Sequence, residues 1–487
     1  MIGKIIDWCL KERFIVLVIT AAIVFWAIYA INRVPVDAIP DIGENQQIVF
    51  VDWPGRDART IEDQITYPLT SLLQGMPGVK TIRASSAFGF SMVYVIFQDW
   101  IDFYWSRARI IEKLQQAGEF LPEGVTPVLG PDATALGQVF WYTVEGKGYN
   151  LADLRSIQDW FIRYQLQSVE GVSEVASVGG FVKQYQIDIN PNKLAVYEVK
   201  LGQVFNAVRN SNIDVGAKVI EQGGMEFIIR GVGFIKTVDD IKNISVGSFN
   251  GTPLFIKDIA TVQVGPEFRR GALDKAGKEV VGGVVTVRYK ENPLNVIKRV
   301  KQRIKELESG LPKGVKIVSF YDRTDLIKRT INTLRNTLIL EILICIFVVF
   351  IFLRHFWSSF IVSLSLPIAV GISFIVMYYL KVDSNIMSLS GIAIAIGTLV
   401  DMGIIMTENT YRRLVLDSGQ KPRLEIVLKA AKEVGPAIFF AILIIVVAFI
   451  PVFSLRGQSG KLFSPLAFTK TFAMFGSAVL AITLVPV

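Results

Sequence analysis

Six apolar runs constrain this chain before any other feature does. They are Phe14–Ile31, Leu338–Phe352, Phe360–Leu380, Ile386–Thr407, Ala437–Phe453 and Phe472 to the end. A helix needs ~20 apolar residues to cross a bilayer. Hydrocarbon offers the backbone no other partner, so a helix that bonds its own peptide groups is the form such runs take. The whole composition agrees: 51% of the 487 residues are hydrophobic and the mean hydropathy is +0.44. That is too apolar for a typical soluble domain and predicts an α-helical polytopic membrane protein.

Charge then sets the topology. Lys4, Lys11 and Arg13 precede the first run, and Val34-Pro35-Val36 follows it in place of a small-residue cleavage site. The run therefore reads as a retained helix whose N-terminus is cytoplasmic. Arg354 and His355 lie between runs two and three. Arg412, Arg413, Lys421, Arg423, Lys429 and Lys432 lie between runs four and five. Both loops fall on the N-terminal side, as the positive-inside rule asks. The net charge of +8 is thus accounted for by topology, and no nucleic-acid partner is expected. Residues 33–335 form one long charged segment on the outer side. It holds no cysteine, since the two present are Cys9 and Cys345, so its own core must stabilise it. The one histidine, His355, excludes a histidine-rich metal site.

The fourth run carries the chemistry. It reads NIMSLSGIAIAIGTLVDMGIIMTEN, with Asp401 inside it. A charge near the bilayer centre costs about 2.5–3.5 kcal/mol on insertion scales, so such an acid faces other helices or a water path. At about 100° per residue, Glu408 falls roughly 20° from Asp401, and Met387, Ser390 and Gly397 within about 40°. Asp401 reads as a protonatable group in a transport pathway; the plainer alternative is a packing face with one neutral, hydrogen-bonded acid. Glu408 is the second candidate, although it lies beside Tyr411, Arg412 and Arg413, where a helix-end acid is ordinary.

The outer segment is repetitive. Gln47–Trp53 is strand-like, Ala58–Leu73 helix-like, and GMPGVKTIRASSAFGFSMVYVIFQD reads as two strands about a glycine turn. Val139–Val144, Leu151–Ser168 and VEGVSEVASVGGFVKQYQIDIN repeat that order, with Gly78-Val79 matching Gly171-Val172. This predicts ferredoxin-like β-α-β units. A further strand-helix-strand follows at Glu279–Tyr289, Pro293–Leu307 and Val315–Tyr321. The stretch 182–272 reads as a separate β-rich lobe that contacts subunits or a partner. The expected division is 1–32 (N-terminal segment and first span), 33–132, 133–181 with 273–335, 182–272, and 336–487 (spans two to six).

VPVDAIPDIGENQ, MPGVKTIRASSAFGFSMVYVIFQD, GPEFRRGALDKAG, FYDRTDLI, the fourth run and GKLFSPLAFTKTFAM together resemble the resistance–nodulation–division efflux transporters. The likeness is to their heavy-metal branch and covers essentially the whole chain. Multidrug members carry two adjacent aspartates where this chain has Val400-Asp401-Met402. Divalent-metal members carry another acid where this chain has Ala395. The pattern looks most like the copper(I)/silver(I) exporters, with a divalent-cation exporter as the alternative and a non-transporting receptor or assembly protein as another. The resemblance implies a proton-driven antiporter without a cofactor in the bacterial inner membrane. Its partners would be the transported metal ion, a periplasmic adaptor, an outer-membrane channel and two further copies in a homotrimer. Residues 33–132 and 133–181 with 273–335 would be porter subdomains, and 182–272 the docking one. Met387 and Met406 would belong to a membrane methionine relay, since thioethers suit Cu(I). Met402, turned away from the acidic stripe, is the weaker candidate, and Leu399 stands where another methionine is expected. Family members have about twelve spans in two halves, so the chain is expected to be a fragment or one product of a split gene that does not transport alone. Gly457-Gln-Ser-Gly-Lys461 lacks the leading glycine and the Ser/Thr of a phosphate loop, so ATP is not expected to drive it.

Overall fold

The computed structural model describes residues 2–353, 355–417 and 422–487. Arg354 and Lys421, two of the basic residues assigned to inner loops, lie outside the described residues. Among those described, 6 helices are long and apolar enough to cross a membrane: Arg13–Arg33, Arg323–Leu353, Phe356–Leu380, Ile386–Leu416, Arg423–Phe453 and Gly457–Thr483. They are called spans one to six below.

Two spans begin well before their apolar runs. Span two starts at Arg323, because the polar stretch Arg323–Thr337 continues the helix out of the bilayer. Span six starts at Gly457, because Lys461, Pro465 and Lys470 interrupt the hydropathy without interrupting the helix. Span five breaks at Phe449, where Pro451 supplies no N–H to continue the ladder. The contacts sort the two sides. The short helix Ile2–Lys11 seats Ile6 against Gly435 of span five, while His355 lies 4.6 Å from Tyr411 and Arg413 pairs with Glu433 at 2.9 Å. On the opposite side Val36 bridges Ser384, and Lys461 donates to Gly43 O at 2.5 Å.

Two sheets build the outer part. In the first, strand Gln46–Asp52 pairs with Phe90–Phe97 and with Val128–Leu129, and Val79–Ala87 closes the other edge, all antiparallel. With its helices, one at Ala58–Gln74 and one at Phe103–Ala117, this is a β-α-β-β-α-β unit. The second sheet has the same order: Val172–Val178, Lys278–Val287, Gln138–Gly146 and Val315–Asp322. Gly78 (φ +79°) and Gly171 (φ +88°) hold the matching turns; a Cβ at Gly171 would lie 2.6 Å from Val296. Side chains of Val49, Ile65, Leu69, Val93 and Val95 fill the first core, and those of Phe140, Tyr142, Ile162, Val175 and Val285 the second.

The second repeat departs from the sequence reading in one respect. Lys183–Ile189 does not return as the third strand of its unit. It pairs with Ala260–Pro266 and starts the inserted lobe, and Lys278–Val287 takes the vacated place. Sequence order suggested a local hairpin, because both segments alternate suitably. Lys278–Val287 wins the central place because it is buried on both faces, whereas Lys183–Ile189 is mostly exposed. The lobe has its own small core around Val204, Ile241, Ile256 and Ile259. From it projects a hairpin, Val215–Gln222 with Met225–Gly231, whose second strand is exposed throughout.

Candidate functional site

Span four is the hub of the bundle. Asn385 caps it, its Oδ1 accepting from the N–H groups of Met387 and Ser388 at 3.0 Å each, and Ser388 Oγ accepts from Asn385 N in return. Small and hydroxyl residues then let spans three and six come close, as membrane helices require. Thr469 Oγ1 donates to Ser388 O at 2.7 Å, and Ser373 Oγ to Thr469 O at 3.2 Å. A Cβ added at Gly391 would lie 2.4 Å from Leu466 O, a backbone atom that cannot swing aside. Gly391→Val is therefore expected to force spans four and six apart. The cost is about 1–3 kcal/mol, the usual range for overpacking. A lowered unfolding temperature in detergent is the readout, and wild-type melting would contradict this contact.

Asp401 stands about 22 Å along this helix, well within a hydrocarbon layer of ~30 Å. Three faces of the helix are covered. One stripe is not: Ile394, Gly397, Asp401, Ile405 and Glu408 are all exposed. Among the described residues, nothing beyond the helix's own backbone lies within 4 Å of where a Gly397 Cβ would be. Both acids thus share one uncovered strip, with Met387 and Ser390 at its partly buried upper end. Met402 and Met406 lie elsewhere, buried in the core with Val362, Leu366 and Leu399, and Ala395 is likewise fully buried there. Met387 and Met406 are not brought together.

The model of the AcrB/AcrD/AcrF family matches residues 5–487. The chain belongs to the AcrB/AcrD/AcrF family. It is 44% identical to the cation efflux system protein CusA of Escherichia coli K12, 43% to the putative cation efflux system protein SilA of Salmonella typhimurium and 37% to the cobalt-zinc-cadmium resistance protein CzcA of Cupriavidus metallidurans. Each match takes in 100% of this chain and 47–48% of the relative. The chain thus spans about half the length of the curated relatives it matches. A crystal structure of a heavy metal efflux pump superposes with a TM-score of 0.88 at 31% identity, over 99% of this chain and 48% of that one. The family's heavy-metal branch of resistance–nodulation–division transporters is inner-membrane, and so is this member.

Sequence reading passed over several intramembrane groups of this family member. Glu341 and Cys345 stand one turn apart on span two. Glu341 lies within an apolar run, so the rule that flagged Asp401 would have found it too. Lys470 is 8% exposed on span six, with Nζ 3.6 Å from the centre of the Phe449 ring. Starting the sixth span at Phe472 hid it. Met377 and Met474 are as buried as Met402 and Met406. Among the described residues no three His, Cys, Asp or Glu side chains converge to hold a metal ion.

Proposed function

We propose that this chain is the N-terminal part of a proton-driven exporter of Cu(I) and Ag(I), acting from the inner membrane with a periplasmic adaptor and an outer-membrane channel. The observation that carries the reading is Asp401, a carboxylate at membrane depth on the one uncovered strip of the central helix. A bare carboxylate facing lipid is costly, so that strip is the seat for further helices bearing a cationic partner. A proton arriving from outside neutralises Asp401 and releases the partner, and the bundle shifts against its neighbour. The shift passes into the two β-α-β-β-α-β units, which open and close on the metal.

Three features favour soft monovalent metals. The identity to CusA and SilA exceeds that to CzcA, 43–45% against 37%. Ala395 stands where divalent exporters carry an additional acid, and it is wholly buried. The bundle interior holds four methionines, Met377, Met402, Met406 and Met474. The CzcA likeness keeps a divalent exporter as the second reading. Competitive uptake of Cu(I) and Zn(II) into inside-out vesicles tests it. Uptake of Cu(I) that excess Zn(II) does not displace is the expected result; the reverse preference would transfer the assignment to divalent metals.

The lobe 182–272 forms the docking region, and its hairpin reaches a neighbouring copy in a homotrimer. None of the described residues covers that hairpin, and Ile220, Phe227 and Ile228 are exposed on it. Deleting Gly216–Ile229 is expected to lower the trimer fraction in detergent several-fold, read by native mass spectrometry. An unchanged trimer would remove the hairpin from the interface.

A further inference from the structure

The stretch GPEFRRG crosses from the lobe into the second sheet, between the strands Ala260–Pro266 and Lys278–Val287. Extended chain sends neighbouring side chains to opposite sides. Arg269 turns to the second unit, where it covers the Phe181 ring at 4.2 Å and pairs with Glu279. Phe268 and Arg270 turn to the first unit. Phe268 meets Phe88 edge-on at 6.1 Å, and Arg270 lies 5.1 Å from the centre of the Phe90 ring and donates to Phe88 O. That carbonyl is free to accept because Phe88 and Gly89 form the turn between the paired residues Ala87 and Phe90, outside the strand ladder. The turn is itself fixed in place. Gly89 N donates to Arg56 O at 2.7 Å, Trp53 N donates to Gly89 O at 2.9 Å, and a Cβ at Gly89 would lie 3.2 Å from Pro54 Cα.

The two units also touch at the other end of the first sheet. Phe90 and Phe97 are the two ends of one strand, roughly 24 Å apart. Phe97 N donates to Asn45 O at 2.8 Å, and Asn45, Asp41 and Phe103 line a cavity shared with Asp383 and the head of span six. This end therefore faces the membrane. Here Phe103, 3% exposed, stacks on Tyr289 of the second unit at 4.3 Å. Tyr289 N donates to Asp132 O at 2.8 Å, and Arg288 pairs with Asp132 at 3.1 Å. The chain passes from one unit to the other at this same end, between Leu129 and Gln138. The two contacts thus differ in kind. The membrane end is buried and covalently continuous. The distal end is made by Phe88, Phe268 and Arg270, all of them exposed. Exposed ring-edge and cation–π contacts are individually weak, and parting them uncovers little new apolar surface.

We propose that Phe268 and Arg270 form a releasable clip between the two β-α-β-β-α-β units, which swing open at this distal end about a fixed hinge at Phe103 and Tyr289. The inference rests on the reading in which these units open and close, and it adds where they part and where they pivot. When Arg270 lets go, Arg269 keeps the crossing on the second unit. The lobe then travels with that unit and away from the first, so displacement of the lobe is coupled to the gap between the units.

Spin labels on introduced cysteines test this without transport. Residues 33–335 contain no cysteine, and Cys9 and Cys345 are replaced by serine. One labelled pair, Arg59→Cys with Lys278→Cys, spans the distal end. Another, Trp100→Cys with Asn295→Cys, spans the hinge. Double electron–electron resonance on the detergent-purified transporter should give two distances for the distal pair and one for the hinge pair. Arg270→Ala removes an exposed cation–π contact and a hydrogen bond, so it should raise the population at the longer distal distance about three- to tenfold. Phe268→Ala should act in the same direction, and Arg270→Lys should fall between wild type and Arg270→Ala. A single distal distance that Arg270→Ala leaves in place would overturn the clip. Both pairs lengthening together would overturn the hinge. Export separates this inference from the reading beneath it: if Arg270→Ala widens the distal pair alone while Asp401→Asn exports normally, the transport reading fails and the clip stands.

Discussion

Asp401→Asn is expected to abolish metal export by the assembled transporter, to the level of cells without it, while insertion and assembly stay normal. Asparagine has the size of aspartic acid and none of its charge. It mimics the protonated state permanently, so the bundle is held at one point of its cycle. Insertion is not penalised, because the substitution removes a charge that costs about 2.5–3.5 kcal/mol at helix centre. What is lost is coupling: each charge crossing the membrane potential supplies about 2.3 kcal/mol per 100 mV, and no group remains to collect it. Asp401→Glu should keep part of the activity and Glu408→Gln most of it, since Glu408 lies at the basic inner end of the helix. Silver and copper tolerance of cells, with immunodetection of the protein in membranes, gives both readouts. Tolerance surviving in Asp401→Asn would refute proton coupling through this residue and favour a protein that does not transport.

The second large effect is expected at Arg323, where outer sheet and span two meet. This guanidinium is 5% exposed, pairs with Asp37 at 3.0 Å and donates to Leu136 O at 2.5 Å. Three separate stretches of chain are thereby tied: the strap after span one, the segment entering the second sheet, and the helix start at Arg323. Asp37→Ala leaves a buried cation without its carboxylate, which costs about 3–5 kcal/mol. The pair as a whole is not expected to add that much, because burying two charges consumes most of their attraction. Asp37→Ala with Arg323→Met should therefore recover much of what Asp37→Ala loses. Unfolding temperature of the detergent-purified protein distinguishes the cases. A double variant no better than Asp37→Ala would show that the arginine's bond to Leu136 O, not its charge balance, holds the seam.

The membrane part was legible because lipid removes choices. Every apolar run had to become a helix, so the number of spans followed from composition along the chain. The ends of spans two and six were not legible. Hydropathy marks where a helix is greasy, whereas hydrogen bonding carries it on through Arg323–Thr337 and through Lys461 and Lys470. Glu341 was as legible as Asp401, since a carboxylate inside an apolar run needs no motif to stand out.

The alternation of strands and helices in residues 46–322 identified both β-α-β units, since a two-residue period and a glycine turn are local properties. Which strand fills which place was not local. Lys183–Ile189 and Lys278–Val287 both read as strands, and only packing on both faces of the second sheet assigned the centre to one of them. The same division holds for the site. Residue types and helical spacing placed Asp401 and Glu408 on one stripe, because a helix fixes angles. That this stripe is uncovered, that Met402 and Met406 face the core, and that Asn45, Asp41 and Asp383 share one cavity are tertiary facts. Those residues are far apart in the chain, and only the docking of strap, loop and sheet places them around one cavity.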